Sequence, residues 1–436
     1  STVLPGFLPS PRFFGLSSEN APGLGFVLGG QDRSIQVRAA ERGWTSRSVV
    51  QNTAFQQTLA KTFTARTTLE PFKDFRMQVE ARYTRADTYQ EFYRPDSTGQ
   101  FTSQSPVRNG QFSMSYLSFL TSFNGIRDDN TSPIFERFQK HRDVILQRLA
   151  LANPNVAENR GTYNLNSQDV LIPAFFAAYS GKDPDKVKLS PFYSIPLPNW
   201  RIDYNGLTNL PYFKKRYSSF VVTHQYASTY SVGNFTSSLN YGAQYVNLAV
   251  QGYPLAAFGS FDSPERQFIP VFVMSTITLS ERFSPLLGVQ FQTKSRVSGR
   301  LEYNRDRNVA LNLSNVQVAE LTNKDITATV GFTRQNFRLP FRVNGAIKRL
   351  KNDLTFQCSL TFRDTRSIQR KLDAEQIITA GNVNFQLRPT VSYVVNKRLN
   401  LNFYFDRTFN DPLVSNSFRR ATTAGGIQAR FNLAEL

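Results

Sequence analysis

From Val383 to Leu436 the chain alternates apolar and polar residues through three successive segments. In the first, Phe385, Leu387, Val391, Tyr393 and Val395 share one parity, and Asn384, Gln386, Arg388, Thr390 and Ser392 share the other. After Asn396-Lys397-Arg398, Leu399, Leu401, Phe403 and Phe405 alternate with Asn400, Asn402, Tyr404 and Asp406. The third sets Ile427, Ala429, Phe431 and Leu433 against Gln428, Arg430 and Asn432. A side-chain period of two marks a β-strand whose faces meet different surroundings. Each segment runs about nine to twelve residues, the length of a tilted strand crossing a bilayer. The pattern predicts an all-β chain, an antiparallel transmembrane outer-membrane β-barrel or a segment of one, with an amphipathic strand near the carboxyl end.

Composition leaves that fold open and closes others. Hydrophobic residues make up 40% of the 436, mean hydropathy is −0.36, and no long unbroken apolar run occurs. A helical span needs about 18 such residues, so that route across a membrane is excluded, whereas alternation hides a barrel's apolar face from any average. The formal charge of +19 raises the question of nucleic acid. The basic residues are spread thinly, however, and the densest group is only Lys214-Lys215-Arg216. That is too short for a nucleic-acid signature, and no nucleic-acid partner is expected. Scattered cations suit a polar lumen and lipopolysaccharide head groups instead. The one cysteine, Cys358, shares parity with Leu354, Phe356, Leu360 and Phe362 and reads as a small apolar side chain. The chain opens Ser-Thr-Val-Leu-Pro-Gly-Phe, with no signal-peptide pattern. The expectation is a processed chain or the carboxyl-terminal part of a longer one.

Taken in order, residues 1–54 are punctuated by Pro and Gly and read as loop-rich, with a short helix near Ser34 to Arg42. Gly23-Leu24-Gly25 lacks the strand, helix and third glycine of a dinucleotide fingerprint and is set aside. Barrel strands are expected over 55–117, with a turn at Pro71-Phe72-Lys73-Asp74 and a polar loop from Ala86 to Asn109. A partly helical insertion is expected over 118–215. There Ser132-Pro133 reads as an N-cap and first helical position, and Ile134, Phe138, Ile145 and Leu149 keep helical spacing. Pro173 to Tyr179 reads as a second helix that stops at Gly181. Barrel strands are expected again over 216–436: paired strands at Ser218 to Val232 and Phe235 to Val250, then hairpins. Ser284-Pro285, Arg305-Asp306 and Asn323-Lys324 read as turns between short strands, and 341–348 is undecided. The total is about 14 strands, and an even number is expected of a closed bacterial barrel.

No set of residues points to catalysis. The two histidines, His141 and His224, have no partner at metal-ligand spacing, and Asp128-Asp129-Asn130 lacks the later Glu of an EF-hand. Neither a Gly-x-Ser-x-Gly nor a Walker A stretch occurs, and no pair of carboxylates is singled out for glycoside chemistry. The reading is a non-enzyme with no cofactor and no metal.

Several long, irregular stretches carry a more specific message. "EPFKDFRMQVEARYTR", "NSQDVLIPAFFAAYSG", "PLPNWRIDYNGL", "STYSVGNFTSSLNY", "ERFSPLLGVQFQTKS", "FDRTFNDPLVSNSF" and "TAGGIQARFNL" together span about residue 69 to the end. In that order they resemble the carboxyl-terminal part of the SprA/Sov family, giant outer-membrane proteins of Bacteroidetes-type bacteria tied to gliding motility and type IX secretion. The resemblance implies a very wide barrel whose lumen carries folded cargo across the outer membrane. It also implies partners: the remaining part of the translocon barrel, secreted cargo proteins and a periplasmic plug protein. A further implied partner is a smaller barrel like a fatty-acid transporter, which gates the lateral opening. Family chains are several times longer, so this chain is expected to supply only part of the wall.

On this reading Thr355, Gln357, Ser359, Thr361, Asn400, Asn402 and Asp406 line the lumen, while Leu399, Leu401, Phe403 and Phe405 face outer-membrane lipid. The insertion partly fills or rims the lumen. Gly426, Ile427, Ala429, Phe431 and Leu433 form a terminal-strand assembly signal, although Ala434-Glu435-Leu436 follow where an aromatic end is usual. The alternatives are a self-contained smaller outer-membrane barrel transporting solutes and a secreted soluble β-rich binding protein.

Overall fold

The computed structural model describes residues 1–9, 22–124, 127, 130–153, 156, 162–238, 268, 270–343, 346–349, 352–372, 376–395, 398–414 and 417–431. In chain order the strands are β1 (Thr2–Val3), β2 (Phe55–Leu69), β3 (Phe75–Pro95), β4 (Phe101–Ser115), β5 (Asn199–Tyr204), β6 (Tyr217–Ser237), β7 (Phe272–Met274) and β8 (Thr276–Thr293). They continue as β9 (Val297–Asn312), β10 (Gln317–Arg334), β11 (Arg338–Val343), β12 (Ala346–Arg349), β13 (Leu354–Lys371), β14 (Ile377–Val394), β15 (Leu399–Pro412) and β16 (Arg420–Phe431). Fourteen of them form one antiparallel sheet in the order β1-β2-β3-β4-β6-β8-β9-β10-β13-β14-β15-β16, with β5 between β3 and β6 and β7 beside β6. β11 and β12 make a separate hairpin that covers the undecided stretch. The helices are α1 (Leu24–Val27), α2 (Ser34–Glu41), α3 (Pro133–Ala152), α4 (Gln168–Ser180) and α5 (Pro211–Arg216). No described helix is long and apolar enough to cross a membrane.

The fold is thus all-β and antiparallel with a partly helical insertion, a segment of barrel wall. Among the described residues no pairing joins β1 or β2 to β16, so the row has two ends.

Register sorts every side chain onto one of two faces. An apolar row runs Phe75–Tyr204–Val222–Val289–Leu301–Ala328–Leu360–Leu387, each residue the cross-strand partner of the next. Near the other end the same face carries Phe356–Val391–Phe403–Ile427. The reverse face carries Gln290–Arg300–Thr329–Ser359–Arg388. The alternation in the sequence therefore becomes two continuous and chemically different surfaces.

Several strands are longer than the sequence suggests. β8, β9 and β10 run straight through Ser284-Pro285, Arg305-Asp306 and Asn323-Lys324, which are not turns. The charges there are held within and across strands: Arg282 Nε lies 3.4 Å from Asp306, and Arg363 Nη2 lies 3.1 Å from Asp325. A register shift between Phe283 and Leu287 absorbs the proline as a bulge. The expected polar loop from Ala86 to Asn109 is likewise strand on both sides of a turn at 96–100, with Tyr93 stacked on Phe101 at 5.7 Å. Tyr89 from this region joins Ile35, Ala39, Trp44 and Phe55 in a small core under the amino-terminal segment. β6 continues through Gly233-Asn234 instead of turning there, and most of the second strand expected as far as Val250 lies outside the described residues.

The insertion interrupts a strand. β4 leaves the row at Ser115, and β5 re-enters it at Asn199 in the same lane, between β3 and β6. Ser115 stitches the break: its Oγ donates to Leu197 O at 2.6 Å and accepts from Arg82 N at 3.0 Å, and Leu197 N donates to Ser115 O at 3.0 Å. Within the insertion, α3 is capped by Ser132 with Pro133 at its first turn. α4 ends at Gly181 in the left-handed region, φ 72°. α4 is apolar all round and buried from Asp169 to Ser180, so it is the axis of the core rather than a surface helix.

That core also fixes where the insertion sits. It packs on Phe112, Met114, Tyr230, Val232, Ile277, Leu279, Val309, Leu311 and Val318. Register puts Ile277, Leu279, Val309, Leu311 and Val318 on the face of Val289, Leu301 and Ala328. The insertion therefore covers one end of the apolar face. The expectation that it fills the polar side is corrected, because the inward-pointing apolar residues at that end of β4 to β10 continue the same parity.

Candidate functional site

The polar face gathers the seven lumen candidates into one patch. β13 pairs Thr355 with Ser392, Gln357 with Thr390, Ser359 with Arg388 and Thr361 with Gln386. β15 then sets Asn402 against Ser392 and Asn400 against Val394. Hydroxyls and amides answer one another across the strands: Thr333 and Thr355 at 3.1 Å, Thr329 and Ser359 at 3.3 Å, and Ser392 Oγ donating to Asn402 Oδ1 at 2.9 Å. Asp406 accepts from Gln386 Nε2 at 3.0 Å and from Arg388 Nε and Nη2 at 3.0 and 2.6 Å. Its charge is neutralised inside the wall. Thr355, Ser359, Asn402 and Asp406 are thus bonded within the patch, whereas Gln357, Thr361 and Asn400 have no side-chain hydrogen bond to a described residue.

Concavities open on this sheet among the described residues. One of about 480 Å³ lies at the strand break, lined by Arg66, Glu80, Arg82, Asn199 and Arg201. One of about 640 Å³ is lined by Arg282, Asp306, Asn323 and Arg363, and one of about 410 Å³ by Thr329, Thr333, Thr355 and Gln357. Among the described residues no three potential metal ligands cluster. His224 Nδ1 contacts Leu286 O at 2.6 Å, and His141 lies on α3.

The terminal-strand candidates divide. Ile427, Ala429 and Phe431 pair with Phe403, Leu401 and Leu399 on the apolar face. Gly426 pairs with Tyr404 on the polar face, where a Cβ would come within 2.9 Å of the Tyr404 hydroxyl. Leu433 lies outside the described residues.

Sequence reasoning missed a buried ionic tie between insertion and wall. Glu320 sits between Arg307 Nε at 3.5 Å and Arg370 Nε at 3.3 Å, all three almost fully buried. Arg307 Nη1 donates to Thr121 O at 2.9 Å, and Arg370 Nη1 donates to Asn130 O at 2.6 Å. Ser118 Oγ donates to Glu281 Oε2 at 2.5 Å. Polar residues at every second position along β8, β9, β10 and β13 were the available signal.

The insertion also buries a carboxyl. Asp169, in the first turn of α4, has no hydrogen-bond partner at either oxygen among the described residues, and burial pushes it up to about 7. Burial likewise raises the Tyr163 hydroxyl to about 12.

An open antiparallel wall with one apolar and one polar face is the class this chain defines. No family model and no curated protein matches it. Among solved structures it is similar to OmpT, an outer membrane protein of Vibrio cholerae folded in vitro in its trimer form, at 8% identity. That match covers 87% of this chain and 98% of the other at a TM-score of 0.21, too low to carry a fold argument.

Proposed function

We propose that this chain forms part of the wall of an outer-membrane protein-conducting translocon of the type IX secretion system, as its resemblance to the SprA/Sov family implies. The observation that carries the reading is the two-faced sheet in which, among the described residues, β16 and the part of β2 beyond its short pairing with β1 have an open edge. The apolar face suits lipid, and the polar face suits a watery lumen. An unpaired strand edge in lipid costs several kcal/mol per amide, so both edges need neighbours. Further strands of the same translocon barrel supply them. The wall conducts folded cargo passively, without catalysis by this chain and without a cofactor. The lateral opening is closed by a smaller barrel like a fatty-acid transporter, and the periplasmic mouth by a plug protein.

The test is isolation of the native assembly in mild detergent. The expected result is a membrane-bound species in which β16 cross-links, through a cysteine placed at Thr422, to strands beyond this chain. The smaller barrel should co-purify with it. A detergent-free soluble protein, or a sealed barrel made of this chain alone, overturns the proposal.

A further inference from the structure

Between the apolar band and the insertion, the apolar face carries two cations that the fold does not neutralise. Arg305 of β9 and Lys324 of β10 are direct cross-strand partners. Like charges placed opposite one another repel, so such a pair needs a reason. Arg305 lies 5.1 Å from the centroid of the Phe123 ring, and neither cation forms an ion pair with a described residue. Asp364, which faces Lys324 from β13, is already bound by both arms of Arg366 at 3.1 and 3.2 Å. Beside the pair, the insertion lays down an exposed ledge of Phe119, Leu120 and Phe123. Phe119 meets Trp200 at 6.3 Å, and Phe123 meets Phe283 at 5.5 Å. Aromatics and cations at one level next to an apolar band are the pattern of a membrane–water interface.

We propose that Arg305 and Lys324 bind a phosphate of a lipid A headgroup in the outer leaflet, with the Phe119–Phe123 ledge seated at the headgroup level. The inference rests on the membrane-wall reading above. The leaflet follows from the connections. The two longest, between Ser115 and Asn199 and between Ser237 and Phe272, leave from the insertion side beside short connections at 96–100, 313–316 and 372–376, whereas the other end has 70–74, 294–296 and 395–398 and middling excursions at 205–216 and 335–353. Barrels carry their longest loops outside the cell and short turns in the periplasm. A phosphate monoester between the two cations removes their repulsion. The neighbouring apolar band, from Leu301 and Ile326 to Val330 and Phe362, receives the acyl chains.

The test is binding of purified bisphosphorylated lipid A to the native assembly that contains the whole chain, in zwitterionic nanodiscs, beside the dephosphorylated form and phosphatidylglycerol. The intact chain should prefer bisphosphorylated lipid A by about tenfold or more, since each cation contributes at a surface. Arg305→Gln with Lys324→Gln should abolish the preference, and Lys324→Gln alone should reduce it. Near-UV circular dichroism checks that both variants are folded. An unchanged preference in the double variant, no preference in the intact chain, or phosphatidylglycerol binding as tightly as lipid A each overturns the site. Fractionation separates the two proposals. A chain found in the outer membrane without a lipid A preference sinks only this one, whereas a chain absent from the outer membrane sinks both.

Discussion

Asp169 shows how one side chain can set a pH response. Its carboxyl is raised to about 7 by burial, with no partner at either oxygen among the described residues. The folded state therefore keeps a proton that the unfolded chain has already lost above its ordinary value near 4. Stability from this group is full below about pH 4 and falls by roughly 1.4 kcal/mol per pH unit until about pH 7. Asp169→Asn cannot ionise. Thermal melting followed by near-UV circular dichroism should show the native chain losing more stability than Asp169→Asn between pH 5 and pH 8. Equal losses would mean that Asp169 has a counter-charge in solution. The residue was not legible at all: the helix expected from Pro173 to Tyr179 stops short of it, and only the structure puts Asp169 in the first turn of α4. Its isolation depends on residues far along the chain that bury α4, and no spacing within "NSQDVLIPAFFAAYSG" reveals it.

At the level of elements, period was legible and length was not. The faces of β13, β14 and β15 follow from alternation alone, and so do α3 and the Gly181 stop of α4. Three of the errors fell where a charged or proline-bearing dipeptide stood inside a strand. Arg305-Asp306 and Asn323-Lys324 read as turns because local propensity favours it, yet cross-strand partners override that preference. Their neighbours Arg307 and Glu320, with Arg370, form the polar belt that ties the insertion down. Glu320→Gln removes the carboxylate shared by Arg307 and Arg370, the only one paired with them among the described residues, and strands two buried guanidinium groups. It should cost about 3–5 kcal/mol, the usual penalty for breaking a buried ion pair. Denaturant midpoints should fall accordingly. Replacing all three residues by apolar ones of similar volume should recover most of the loss, and a mild effect of Glu320→Gln would show that Thr121 and Asn130 carry the tie.

For the molecule as a whole, the sheet's two faces were legible, while the side on which the insertion lies was not. Helical spacing says that a segment leaves the sheet, but only register from Ile277 to Leu311 shows which face it covers. Assembly can be tested at the last strand. Phe431 pairs with Leu399 on the apolar face and is 68% exposed. An arginine on a lipid face costs roughly 2–4 kcal/mol at midplane and about 0–1 near an interface. Phe431→Arg at the margin of the sheet should therefore be mildly destabilising if Phe431 only packs. If the strand is an assembly signal, the variant should accumulate in the periplasm and be degraded, and normal outer-membrane abundance would exclude that role.

The stitched break between Ser115 and Leu197 also couples the insertion to the wall. The lower half of that lane cannot close until residues 116–198 have brought its ends together, and an unfolded tether makes that closure entropically expensive. The insertion's core is built on Phe112, Met114, Tyr230 and Val232 of that wall, so the seam and the globule are one cooperative unit and a fault in either should open both.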